Sequence, residues 1–117
     1  MTAENVDTLQ GIYCTATVYR SIGGAERVFL LGTEDALAQA DKEGWTLERT
    51  SIEESLGDET VAFVGSTAEG QLFTVMWRDG QVVSECGGAG ILVTEPPVED
   101  TIRVAHAQQE RIVDALG

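Results

Sequence analysis

Asp79-Gly80 lies between two alternating runs, Leu72 to Arg78 and Gln81 to Cys86. Asp-Gly in that position predicts a β-hairpin, because the tight turns that match strand twist need residues tolerant of positive φ. A loop of those two residues pairs Arg78 with Gln81, Trp77 with Val82, Val75 with Ser84 and Phe73 with Cys86. Phe73, Val75, Trp77, Val82 and Cys86 then share one face, and Thr74, Met76, Arg78, Gln81, Val83 and Glu85 share the other. The first face is a core and the second is mostly wet.

The rest of the chain is read around that hairpin. Ile12, Cys14, Ala16 and Val18 alternate with Tyr13, Thr15, Thr17 and Tyr19, which has the period of a strand. With Gly23-Gly24 as a turn, residues 11–20 form a second hairpin with 26–32. Thr33 is a good N-cap for a short helix over about 34–43, ended by Gly44. Trp45 and Leu47 begin a short strand. Thr60 to Val64 has no polar face and reads as a central strand covered on both sides. Cys86-Gly-Gly-Ala-Gly90 suggests a bulge or bend, and Glu95-Pro-Pro-Val breaks regular structure. Ile102, Ala105, Gln109, Ile112, Val113 and Leu116 recur at helical spacing over 101–116. The expected fold is a single α+β domain over residues 1–117. It is a two-layer arrangement, an antiparallel sheet of about five strands with two helices packed on one face.

Charge excludes some partners. The 117 residues include 20 acidic and 7 basic, for a formal charge of −13. No basic stripe exists to neutralise phosphates, so nucleic acid is not an expected partner. No apolar run reaches the roughly 20 residues of a membrane-spanning helix, so membrane insertion is not expected either. Residues Met1 to Asp7 lack the basic and apolar regions of a signal peptide. The chain as written reads as cytoplasmic, or as extracytoplasmic if a leader has been removed. Cys14 and Cys86 both fall on apolar strand faces, which allows either a disulfide or two buried thiols.

Motifs that would carry chemistry are scarce. His106 is the only histidine and sits beside the apolar stripe of the last helix. Glu53, Glu54, Asp58 and Glu59 lack the alternating oxygen pattern of a calcium loop and read as a solvated acidic face. Gly87 to Gly90 opens no helix, as a phosphate cradle must. Ser66 lacks the second glycine of a nucleophile elbow. No catalytic residue, metal site or cofactor is expected. Tyr13, Tyr19, Met76 and Trp77 are the candidate binding residues; Tyr13, Tyr19 and Met76 lie on a sheet surface left for a small ligand, a protein partner or a second copy.

Leu56-Gly-Asp-Glu59, the strand after it, Trp77-Arg-Asp-Gly-Gln-Val-Val83 and a closing helix with Gln109-Glu-Arg-Ile112 form a recognisable series. It resembles small extracytoplasmic sensor-like domains of actinobacterial and archaeal lipoproteins, over the second half of the chain. The resemblance extends loosely to the extracellular sensor-like domains of mycobacterial Ser/Thr kinases. It implies an exported domain and carries over no catalytic residues. The expected function is a non-enzymatic binding or sensor-like domain. The alternative is a small acidic interaction protein, immunity- or inhibitor-like, that neutralises a basic partner.

Overall fold

A computed structural model describes residues 9–53, 55–68, 70–91 and 96–116. The chain runs β1 (Leu9–Val18), α1 (Ile22–Glu43), β2 (Thr46–Thr50), β3 (Glu59–Ser66), β4 (Gly70–Asp79), β5 (Val82–Ile91) and α2 (Val98–Leu116). The five strands form one antiparallel sheet in the order β1-β5-β4-β3-β2. The α+β class, the five-stranded antiparallel sheet and the two helices agree with the sequence-based expectation.

The helix placement differs from it. α2 brings Ala105 and Ile112 onto Phe73, Val75, Trp77, Val82 and Cys86. α1 brings Phe29, with Ala36 and Leu37, onto Phe63 and Met76. Successive strand residues point to opposite faces, so Met76 and Trp77 cannot share one. Each helix therefore covers its own face of the sheet, and the sheet has a core on both sides. Ala62 and Phe63 of β3 are both buried, one on each side, as the lack of a polar face over 60–64 implies.

The expected hairpin of 11–20 with 26–32 is not formed, because residues 22–43 are one helix. Ser21 caps it, accepting a hydrogen bond on Oγ from the Gly24 N–H at 3.0 Å. Ala25, Phe29, Thr33 and Ala40 are its buried residues, a stripe at helical spacing that outweighs the local alternation of Val28 and Leu30 with Phe29 and Leu31. Thr33 lies inside the helix rather than at its start, and its hydroxyl donates to the Leu30 carbonyl at 2.7 Å. β1 pairs instead with β5, Val18 opposite Val82 and Leu9 opposite Ile91.

The β4–β5 hairpin forms with its turn moved by one residue. Asp79 pairs with Val82, Trp77 with Ser84 and Val75 with Cys86, so Gly80 and Gln81 make the loop. Gly80 adopts φ 59°, the left-handed region that glycine enters without steric cost. The change slides each cross-strand partner by two positions. Both faces therefore keep the residues expected of them. Arg78 anchors the turn from a largely buried position. Its Nε donates to Glu59 at 2.7 Å and its Nη1 to the Gly80 carbonyl at 2.9 Å. Asp58 accepts from the Gly80 N–H at 2.8 Å and lies 3.5 Å from Arg78 Nη1. Two of the four acidic residues read as a solvated face thus hold a cation. Glu53 is exposed, and Glu54 lies outside the described residues, as do 1–8 and 92–95.

β5 runs straight through its glycines, with neither bulge nor bend in its pairing. The two glycines admit neighbours on opposite faces. A methyl group on Gly87 would meet the Tyr13 ring, and one on Gly88 would meet Thr101 and Pro97 at the start of α2. Cys14 and Cys86 lie directly opposite each other on β1 and β5 and are bonded, with Cα atoms 4.1 Å apart.

Candidate functional site

α1 packs on β2, β4 and β5, and between the C-terminal half of the helix and the sheet lies a cavity of about 270 Å3. Ala36 and Gln39 form its helical side. Phe63, Leu72 and Thr74 belong to the sheet beneath, and Gly87 and Ala89 leave room above β5. Leu47 and Trp45 close the β2 side, and Tyr13 and Gly11 close the β1 side.

Trp45 owes its position to the end of α1. Gly44 takes φ 76° and donates to the Asp41 carbonyl at 3.2 Å, while the Trp45 N–H donates to the Ala40 carbonyl at 2.9 Å. These two bonds are the Schellman pattern, and they set the residue after the cap at a fixed angle to the helix. The indole stands at the cavity rim and is 41% exposed. Tyr13, 56% exposed, stands at the opposite rim with its ring over Gly87. Two exposed aromatic side chains therefore flank an apolar hollow.

Among the described residues, Glu85 is the one charged residue in the lining. The Tyr13 hydroxyl donates to its Oε1 at 3.4 Å. Partial burial pushes the Tyr13 phenol above its ordinary pKa of 10.0, and the Glu85 charge and hydrogen bond push it the same way. Because the folded-state pKa is raised, this contribution to stability is complete below pH about 10 and is lost as pH rises through the Tyr13 pKa. Ultraviolet titration should show Tyr13 ionising above 10.0, and Glu85→Gln should move it back toward that value. An unmoved titration in that variant would mean that Glu85 does not act on Tyr13.

Among the four residues selected from sequence, Tyr13 alone lines the cavity. Met76 is buried under α1, where Gly32 lets its methyl approach the helix backbone. Trp77 is fully buried on the other face, beneath α2. Tyr19 lies beyond the far end of β1, about 20 Å along the strand from Tyr13. Trp45, Leu47, Leu72, Gln39 and Glu85 were not expected at a site. The helix-ending Gly44 followed by an aromatic residue was the one local pointer to them.

Other chemistry-bearing residues are placed apart. His106 is exposed on α2, on the opposite side of the sheet from the cavity. Cys14 and Cys86 are joined on that same side. Among the described residues no group of three or more histidine, cysteine, aspartate or glutamate side chains could hold a metal ion, and no helix is long and apolar enough to cross a membrane. Comparison with protein-family models, with curated proteins and with solved structures finds no match to this chain, so the site is read from its own geometry.

Proposed function

We propose that the protein is a non-enzymatic, sensor-like binding domain whose small ligand occupies the cavity between α1 and the sheet. The observation that carries this reading is the apolar hollow of about 270 Å3 with exposed Tyr13 and Trp45 at its two rims. Concave, largely apolar pockets with few polar groups are the usual form of small-molecule sites. The polar groups here set the ligand's chemistry. Glu85 can accept a hydrogen bond or balance a cation, and the two rings present π-faces on either side. A flat apolar body with one amine meets both requirements. The bonded cysteines suit an oxidising compartment, in keeping with the resemblance to extracytoplasmic sensor domains.

The test compares 2-phenylethylamine with 2-phenylethanol, which share a ring and differ in charge. Both are expected to shift the resonances of Trp45 and Tyr13, with the amine binding more tightly. Glu85→Gln should remove the difference between them. Trp45→Ala should weaken both by about tenfold, the scale of one aromatic contact. Gly11 lines the hollow, and a Cβ there meets nothing within 4 Å, so Gly11→Leu should fill the space and abolish binding while the fold persists. Absence of any shift at Trp45 and Tyr13 with both compounds would remove the cavity as a site.

A further inference from the structure

β1 is an edge strand, and its outer side has no neighbour among the described strands. The ladder with β5 shows which of its groups face outward. The Tyr19 N–H donates to the Gln81 carbonyl at 2.8 Å, continuing the register that sets Val18 opposite Val82. Antiparallel pairs alternate between hydrogen-bonded and non-hydrogen-bonded, so Tyr13, Thr15 and Thr17 bond to β5. Cys14 and Cys86 then form a non-hydrogen-bonded pair, and their Cα separation of 4.1 Å is the close spacing of such pairs. Ile12, Cys14, Ala16 and Val18 therefore turn their N–H and carbonyl groups toward the open edge.

Sheet edges in natural proteins are guarded by charge, proline, bulges or shortness. β1 has none of these guards. It is ten residues long, pairs with β5 without a bulge, and contains no proline and no charged residue. The opposite edge, β2, has five residues and carries Glu48 and Arg49. The contrast is sharp in a chain with 20 acidic and 7 basic residues.

We propose that β1 pairs with β1 of a second copy of this chain, antiparallel about a two-fold axis, to give a continuous ten-stranded sheet. The uncharged edge and its self-complementary backbone make a second copy the partner, despite the net charge of the chain. Two copies at −13 repel each other across most surfaces, and β1 is the sheet edge where they can approach without bringing acidic side chains together. Antiparallel pairing is also self-complementary, since each outward N–H of one strand meets an outward carbonyl of the other.

Sedimentation over a range of concentrations should show a monomer–dimer equilibrium. The dimer fraction should rise with salt, which screens the repulsion between copies. The amides of Ile12, Cys14, Ala16 and Val18 should exchange more slowly as the dimer accumulates. Ala16→Pro deletes one outward N–H per copy and no bond to β5, so the far-ultraviolet spectrum should persist while the dimer weakens by about tenfold or more. Thr17→Glu, at an exposed position of the same strand, should also weaken the dimer if the proline variant does not fold. A monomer at every concentration and salt would overturn the proposal. So would a dimer that forms equally well in both variants, or protection of these amides in the monomer, which would place residues of the same chain on the edge.

Discussion

Reduction of the Cys14–Cys86 bond is expected to lower the thermal midpoint by roughly 15 °C, from the loss of about 4 kcal/mol and the entropy of unfolding of a domain this size. The bond closes a loop between residues separated by 72 positions. Opening it returns that loop's freedom to the unfolded chain, which in the chain-entropy account is the origin of the stabilisation. A loss of that size is a large share of the 5–15 kcal/mol that holds a typical domain folded. The effect should be uneven. β1 has one neighbouring strand, and its packing on α2 is through one face only. Hydrogen exchange in reductant should therefore rise first in residues 9–18, before the meander β2–β5 responds. Cys14→Ala/Cys86→Ala should behave as the reduced protein does, with a further cost from the contacts that buried Cys86 loses. A midpoint that moves by only a few degrees would show that the β1–β5 ladder holds the edge without the bond.

Trp77→Ala should be the most damaging single substitution, at about 3–5 kcal/mol by urea unfolding. Trp77 has the largest of the fully buried side chains and sits where α2 crosses the centre of the sheet. It also has a polar duty. Its Nε1–H donates to Gln109 Oε1 at 2.6 Å, and Gln109 Nε2 donates to Asp79 Oδ2 at 2.6 Å. The relay ties α2 to the last residue of β4 beside the turn. Trp77→Phe keeps most of the ring volume but leaves the Gln109 carbonyl without its donor, so about 1–3 kcal/mol is expected. Adding Gln109→Leu removes the stranded group and should recover part of that loss. If the double variant is no more stable than Trp77→Phe, the relay contributes little and the ring's packing accounts for the whole effect.

These two residues also mark how far the sequence could be read. The face shared by Trp77 and Cys86 was legible because alternation survives a two-residue slip in pairing. The turn itself was not, since Asp79-Gly80 and Gly80-Gln81 differ by one position and by no periodicity. α2 was legible from its spacing, although Val113 is 52% exposed and does not belong to the buried stripe. Residues 26–32 misled because Val28, Phe29, Leu30 and Leu31 satisfy a strand locally. The stripe that makes them helical becomes visible only over the whole span from Ala25 to Ala40. Helix placement was out of reach, because it follows from α1 leaving β1 at one edge and delivering the chain to β2 at the other. The cavity was out of reach for a similar reason. Tyr13, Gln39, Trp45, Leu72 and Glu85 come from separate elements and share no motif.

The pairing of the first strand with the last has a consequence for synthesis on the ribosome. Partners along β1 and β5 are separated by between 64 residues, Val18 to Val82, and 82 residues, Leu9 to Ile91. At roughly 5–20 residues per second, β1 waits several seconds for its partner to be made. Meanwhile β2, β3 and β4 emerge in spatial order and can associate by short connections. The nascent chain thus carries its least charged strand without its β5 partner until β5 appears, and Cys14 stays a thiol until Cys86 follows. Of the five strands in this sheet, the one made before the others is among the last to join it.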